Sequence, residues 1–551
     1  MHATPRARAA CADAQTDAAT LHCAAAREAR TTRLSEGQAR AALLGAHGAA
    51  ATRWRERDAE CSAVARGPAR GTTYPADTQK RWLPHRLFTF PQSCRPTPAL
   101  RPSPGNACLH LSMQATLEAL DAACMQCVCS TLEARDVAAL QCVSRTLRTL
   151  AAADDIWLVL CRGDWELAEA RTPAGDAARS FSLAYASWHG EYGRYPNFLR
   201  ASRALRAIRE WTAQHIPPVA ASLLPGATEA EIDEFAESLA LPCMHPAVRV
   251  VLRLCKGQNL LYDERMAEHG AHPFHESALH GILPAYAVYD HLVSTRFLTL
   301  KAAARHTAKC REVHILPATG SPCILFAASF QLGKLFFVNA ETADVYVGLR
   351  TRGLHRACPA LEDGLLCWLE TYAQELSAGQ YAVDELEQGE PNTRAIRAFP
   401  RLPPLCSTAV TCGVRVEASA TWMPEHSDDA VDAFVYSISF SLLSLEEQQA
   451  AGFAPLRSCQ LLGRHWVISD ASGRSEEVRG PGVIGEHPLL VPGGPPFRYQ
   501  SQTPVRRTAA GRGGTMLGAF TFVPGTLAAR GGPEFAAACG LFPLAVPDWV
   551  Y

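Results

Sequence analysis

The feature that most limits the fold is an alternation of apolar and polar residues near the end of the chain. In "VTCGVRVEASATW" (410–422) Val, Cys, Ala and Trp share one face, and in "AFVYSISFSL" (433–442) aromatic and aliphatic residues are opposed to serines. A repeat of two is the period of a β-strand whose faces meet different environments. Each segment is therefore predicted to be one strand with one buried face and one face in water.

Neighbouring segments extend this pattern. The stretch "GRHWVISDASGRSEEV" (463–478) predicts two strands joined by a turn over Ser-Asp-Ala-Ser-Gly. Several strands with Gly- and Pro-containing turns, and no helix predicted between them, favour two packed antiparallel sheets. The segment 407–548 is therefore predicted to be an all-β sandwich.

This sandwich contains a glycine pattern, G-x-G-x-x-G, at Gly480, Gly482 and Gly485. A dinucleotide site needs a buried apolar strand before such glycines and a helix that begins at them. Here polar "RSEEVR" precedes them, and Pro488 and Pro492 follow, where proline disfavours a helix by about 3 kcal/mol. Two interpretations stay open: a turn whose glycines supply unusual φ angles and close strand packing, or a backbone nest that binds phosphate or pyrophosphate.

Helical patterns come earlier in the chain. Residues 117–165 predict a helix around Leu120 to Leu132, a second beginning near Asp136 as its N-cap, and a third after Asp154. The second is predicted to be continuous, with one apolar face formed by Val137, Leu140, Leu147 and Leu150. So small a helical unit leaves apolar surface for a partner.

The middle of the chain mixes both patterns. Thr228 and Glu231 have the spacing of a capping box before one helix, and "AVRVVLRLCKGQ" (247–258) predicts a second helix with Gly257 as its C-cap. The stretches "PCILFAAS" (322–329) and "GKLFFVNAETADVYVG" (333–348) have strand composition, the latter as a hairpin. An α+β domain is predicted.

Composition limits the function classes. With 53 Lys and Arg against 54 Asp and Glu, we expect no strong attraction to nucleic acid or an anionic membrane. No run of about 18 apolar residues predicts a membrane span. The 20 cysteines are irregularly spaced without an apolar N-terminal signal, which favours reduced intracellular thiols. Residues 1–110, rich in Ala, Arg and Thr and then in Pro, are predicted to be a disordered tail.

Two groups resemble metal ligands. One is formed by Cys124, Cys127 and Cys129, which lack a second ligand pair at zinc spacing. The other is a histidine-rich stretch that a polar surface loop explains equally well: His269, His272, His275 and His280. No nucleophile, base and orienting group stand at a recognisable spacing. We therefore expect no metal ion, no cofactor and no catalytic residue.

Residues 115–165 resemble an F-box, the motif by which substrate receptors bind the Skp-family adaptor of a cullin ubiquitin ligase. The resemblance implies that one set of apolar residues contacts the adaptor or supports that surface: Leu120, Met125, Val128, Leu132, Val137, Leu140 and Trp157. Further family positions fall on Val143, Ser144 and Arg145. The sequence departs from the family at Leu120-Asp121, where Leu-Pro is usual.

Two later segments resemble known domains. Residues 200–380 resemble the SUKH (Smi/Knr-like) protein-interaction domain at eight positions: Leu224, Pro225, Ile232, Leu241, Pro242, Leu252, Gly257 and Gln258. After a predicted linker over 381–406, residues 407–548 resemble the ApaG domain, an immunoglobulin- or fibronectin-like sandwich. That resemblance is carried by Arg464 to Trp466, the loop from Gly480 to Gly485, and "GTMLG" at 514–518.

The order F-box, SUKH-like, ApaG resembles the family of F-box only protein 3 and its plant relatives. This implies a non-catalytic substrate receptor of an SCF ubiquitin ligase, with the Skp adaptor, cullin through it, and target proteins as partners. No nucleic acid or membrane partner and a location in cytoplasm, nucleus or both are expected. Two alternatives stay open: an interaction module outside ubiquitination, and a phosphate- or nucleotide-responsive protein acting through the glycine loop.

Overall fold

A computed structural model describes most of the chain after residue 120, in the ranges 121–129, 131–259, 280–289, 291–313, 315–316, 322–350, 353–386 and 393–551. Three features of the sequence lie outside the described residues: the predicted tail, Leu120, and the histidines His269, His272 and His275. No helix within these ranges is long and apolar enough to cross a membrane.

The N-terminal helices are short and follow one another closely. They are α1 Ala122–Cys129, α2 Ala134–Leu140, α3 Arg145–Ala151, α4 Asp154–Trp165, α5 Phe181–Tyr192 and α6 Phe198–His215. The prediction of one continuous second helix was wrong, because Ser144 ends the turn after α2 and its hydroxyl caps α3 by accepting from the Leu147 amide at 3.2 Å. The prediction of Asp136 as N-cap was also wrong, since it lies in the first turn of α2, which Glu133 precedes.

The central region combines helices with short antiparallel strands. Its helices are α7 Pro217–Ser222, α8 Glu229–Ser238, α9 Pro246–Leu254, α10 Leu300–Glu312 and α11 Gly364–Ser377. Its strands are β1 Tyr286–Val288, β2 His291–Val293, β3 Thr295–Phe297, β4 Cys323–Ser329, β5 Leu335–Asn339, β6 Val345–Leu349, β7 Gly353–Arg356, β8 Val383–Glu385 and β9 Arg394–Ile396. Strands β3 to β7 form one sheet in sequence order, and α11 buries Trp368 and Tyr372 in the core.

Local predictions in this region had mixed outcomes. The capping box is present, with Thr228 and Glu231 exchanging side-chain to backbone hydrogen bonds at the start of α8. The predicted strand and hairpin correspond to β4 and to β5 with β6. The prediction of Gly257 as a C-cap was wrong: α9 ends at Leu254, and Gly257, at φ +114°, lies where a Cβ would come within 2.5 Å of the Leu298 carbonyl oxygen.

The C-terminal region is a β-sandwich, which confirms the ApaG part of the predicted fold. Its strands are β10 Cys406–Thr411, β11 Val414–Trp422, β12 Val431–Leu442, β13 Cys459–Asp470, β14 Ser475–Pro481, β15 Leu489–Leu490, β16 Phe497–Arg506, β17 Gly514–Pro524 and β18 Phe535–Leu544. One sheet has the order β10-β11-β12-β16 and the other β14-β13-β17-β18, with β15 paired to β13. Aromatic side chains fill the space between them, with Phe440 and Phe520 rings 4.5 Å apart and edge to face.

Three sequence predictions for this sandwich were wrong. Residues 410–422 are two strands, because Cys412 and Gly413 both have positive φ and form a two-residue hairpin turn. The serine face of β12 is not in water: Ser437 and Ser439 are buried. Finally, a short helix, α12 Leu445–Ala450, interrupts the strands.

Candidate functional sites

The predicted adaptor-binding residues fall into two classes of exposure. Met125 and Val137 are completely buried, and Trp157 is nearly so. The Trp157 indole N–H donates to the Ala151 carbonyl at 2.9 Å, which ties α4 to the end of α3. These three side chains form the core of the helices, so the structure gives them a supporting position.

The remaining predicted residues lie nearer to the surface. Val128, Leu132 and Leu140 are half-buried, while Leu120 lies outside the described residues. Val143, in the turn between α2 and α3, is 68% exposed, and Val159 of α4 is 40% exposed. An apolar side chain held in a turn this open contributes little to folding, so it is available to a partner.

An open groove adjoins this surface. It is lined by Leu132 and Trp157 and by Tyr185 and His189 of α5. The Tyr185 hydroxyl donates to the Asp164 carboxylate at 2.6 Å, which fixes the ring beside α4. Burial is the main cause of the raised pKa of Tyr185. The Asp164 carboxylate raises this pKa further, so the phenol stays protonated.

The glycine loop is a tight turn between strands. Ile484 and Gly485 have positive φ values of 44° and 84°, and the Val483 and Glu486 amides donate to each other's carbonyls at 2.9 and 2.7 Å. The Gly482 amide donates to the Leu462 carbonyl at 3.0 Å. These three amides therefore donate within the protein, which favours the turn interpretation over the phosphate nest.

An arginine completes the loop. Arg464 Nη1 donates to the carbonyls of Pro481 at 3.1 Å and Gly482 at 2.8 Å. Gly480 lies opposite Arg464 in the ladder, where a Cβ would come within 3.1 Å of that guanidinium nitrogen. The guanidinium thus binds loop carbonyls, and the absence of a side chain at Gly480 makes room for it. Phosphate binding stays a prediction.

The central region and the sandwich meet through polar contacts, one of them buried. Arg397 donates from Nη2 to the Ser437 hydroxyl at 2.8 Å, which explains why that face of β12 is covered. Arg498 pairs with Asp384 at 2.7 Å, and Gln500 donates to the Leu386 carbonyl at 2.7 Å. Burial, and after it the nearby Arg498, lower the pKa of Arg397 to about 9. The two regions are joined by geometrically specific contacts.

The predicted linker takes part in this junction. Its strands β8 and β9 pair antiparallel, and Ala285 forms a parallel bridge with Arg397. On the opposite side the Trp368 indole donates to the Val550 carbonyl at 2.7 Å. We call the contact surface between the central region and the sandwich the junction. It includes strands β8 and β9 and the contacts of Arg397, Arg498, Gln500 and Trp368.

The candidate metal ligands also have defined positions. Cys124 and Cys127 are exposed on α1, whereas Cys129 is buried, so the three thiols do not share one environment. Of the histidine-rich stretch, only His280 falls within the described residues. No local pattern predicts the junction contacts, since Arg397 and Ser437 are 40 residues apart and Trp368 and Val550 are 182 residues apart.

Known proteins resemble this chain over most of its length. The model of the ApaG domain family matches residues 424–524. F-box protein SKIP16 of Arabidopsis thaliana is 31% identical over 423 residues, which cover 74% of this chain and 93% of that protein. The chain belongs to the SKIP16 family of F-box proteins.

Two other relatives agree with the SKIP16 family. F-box only protein 3 of Mus musculus is 24% identical over 393 residues, 68% of this chain and 71% of that protein. Protein ApaG of Nitrosospira multiformis (strain ATCC 25196 / NCIMB 11849 / C 71) is 37% identical over 134 residues, 24% of this chain and 91% of that protein. The predicted family and the predicted ApaG domain are therefore confirmed.

Proposed function

We propose that the protein is the substrate-recognition subunit of an SCF ubiquitin ligase. In this proposal α1 to α4 bind a Skp-family adaptor, and through it cullin, while the central SUKH-like region and the ApaG sandwich recruit target proteins for ubiquitination and degradation. The observation that carries it is the similarity to an F-box protein over 74% of the chain. The protein itself performs no covalent step; it raises the rate by holding a target lysine near the ligase.

The exposure of the helices supports the adaptor role. Met125, Val137 and Trp157 hold the helices together, which leaves Val143 and Val159 to contact a partner. Rim residues of an interface contribute little, whereas a few residues near its centre carry most of the binding energy. Val143 is therefore the residue at which we expect substitution to be most damaging to adaptor binding.

The junction supports the recruitment role. Because the central region and the sandwich share buried contacts, both would present their surfaces to a target in one fixed orientation. The formal net charge of -1 gives no attraction to polyanions, so proteins are the targets that we propose, in the cytoplasm, the nucleus or both. We propose no membrane and no nucleic acid partner.

Co-purification of the full chain with its Skp-family adaptor and cullin tests the proposal. Val143→Asp should weaken the complex more than about tenfold, because it places a charge in an apolar contact. Leu541→Asp is the matched control, since Leu541 is 57% exposed on β18 of the sandwich. We expect it to leave adaptor binding unchanged.

The absence of a wild-type complex at micromolar concentrations would exclude the ligase role and leave an interaction module outside ubiquitination. Equal binding by wild type and Val143→Asp would move the adaptor surface elsewhere. Mass spectrometry of the complex under proteasome inhibition then identifies the targets.

A further inference from the structure

A group of three metal-binding side chains lies in the junction. His291 begins β2 of the central region, and Glu425 and His426 belong to a short 3-10 helix, Pro424–His426, that precedes β12. One ligand atom from each residue lies within 4.8 Å of the others. No local sequence pattern predicts this group, because 134 residues separate His291 from Glu425.

Contacts orient the three side chains toward one another. His291 Nε2 lies 3.1 Å from Glu425 Oε1, and the rings of His291 and His426 are 4.5 Å apart and nearly perpendicular. The Tyr286 hydroxyl donates to the same carboxylate oxygen. A hydroxyl on a ligating carboxylate is a typical outer contact of protein metal sites, because it fixes the orientation of the carboxylate.

Two polar atoms of this group are buried without a hydrogen-bond partner, namely Glu425 Oε2 and His426 Nε2. The Glu425 side chain is only 4% exposed, and a buried carboxylate oxygen without a partner costs free energy. A cation that accepts both lone pairs would remove this cost. The side chain of His291 is 24% exposed, which gives the group a route to solvent.

We propose that His291, Glu425 and His426 bind a divalent zinc ion that joins the central region to the sandwich. Two imidazoles and one carboxylate form a ligand set that zinc uses, with a fourth position for water. Zinc bonds of about 2.0–2.1 Å place tetrahedral ligand atoms about 3.3 Å apart, so small side-chain rotations would close the present spacing. The proposed ion is separate from the adaptor surface and from the glycine loop.

Zinc titration of the chelator-treated full chain, followed by calorimetry against a competing chelator, tests the site. We expect wild type to bind one more equivalent than His291→Gln and His426→Gln, or to bind it at least about 100-fold more tightly, because even outer contacts change affinity by about 10–100-fold. His465→Gln is the matched control. It changes an exposed His–Glu pair, His465 and Glu477 at 3.0 Å, that lies outside the group. This control should bind as wild type does.

Cobalt distinguishes this site from the cysteines. Cobalt at His291, Glu425 and His426 should give visible tetrahedral bands without a thiolate-to-cobalt charge-transfer band, and His291→Gln should lose them. If that variant does not fold, Glu425→Gln replaces it, with folding checked by circular dichroism in chelator. Equal stoichiometry and affinity in wild type and the variants, or a thiolate band common to all of them, would overturn the proposal.

Discussion

One ion pair of the N-terminal helices is exposed, whereas the junction contains a buried one. On the helices Arg135 and Glu133 pair at 3.0 Å with side chains 78% and 71% exposed, where an ion pair contributes about 0–1 kcal/mol. At the junction Asp432 is completely buried and pairs with Arg507 and Arg512. Removing one member of a buried ion pair leaves the other charge without its partner, which destabilises the folded state. The helical surface can therefore change at little cost, whereas the junction depends on its buried carboxylate, Asp432.

Asp432→Ala is the substitution for which we expect the largest loss of stability. Arg507 and Arg512 would lose their common carboxylate, and Arg512 also reaches His355 of β7 at 3.3 Å. We expect a loss of about 3–5 kcal/mol in the free energy of unfolding, measured by denaturant titration with tryptophan fluorescence. Glu133→Ala is the control and should change stability by less than about 0.5 kcal/mol. Equal effects of the two variants would contradict the contrast.

The second prediction concerns the glycine loop. Gly482→Ala places a methyl group 2.4 Å from the Glu486 carbonyl oxygen at φ +52°, whereas Gly485→Ala, at φ +84°, meets nothing within 4 Å. We expect about 3 kcal/mol of destabilisation for the first, from strain plus overlap, and about 1 kcal/mol for the second, from strain alone. Thermal unfolding measures both. A change of pyrophosphate binding in calorimetry without a change of stability would favour the phosphate nest instead.

The third prediction concerns the helices. Ser144→Ala removes the oxygen that caps α3 and should cost about 1 kcal/mol. Ser144→Asp keeps a cap and should restore most of the loss. Because Val143 precedes this cap, we also expect weaker adaptor binding in Ser144→Ala, measured with the full chain. Unchanged stability and binding would show that the turn does not depend on its cap.

Sequence reasoning succeeded where a pattern is local and failed where distant residues meet. The capping box at Thr228 and the strands of the sandwich follow from short-range spacing, and so were predictable. A period of two could not reveal the turn at Cys412 and Gly413, because apolar residues continue at alternate positions through it, although the hairpin places Val410 on the face of Arg415, where it is 39% exposed. Nor could it show that Ser437 is covered, since its partner Arg397 belongs to another region. Burial by a neighbouring region is a tertiary effect that overrides a strand pattern.

The last prediction concerns a pH dependence at Glu375 of α11, whose side chain is half-buried beside the junction. Burial raises its pKa from 4.5 to about 7, although a hydrogen bond with Tyr381 acts in the opposite direction. The folded state therefore holds more protons than the unfolded state between these values, so its stability is full below pH 4.5 and falls as pH rises through 7. Glu375→Gln cannot ionise, so its stability relative to wild type should rise from pH 5 to pH 8 in parallel denaturant titrations. Glu446→Gln, at an exposed position of α12, should follow the wild-type profile. A constant difference between wild type and Glu375→Gln in the free energy of unfolding across this range would contradict the prediction. It would show that Glu375 is as well solvated as Glu446.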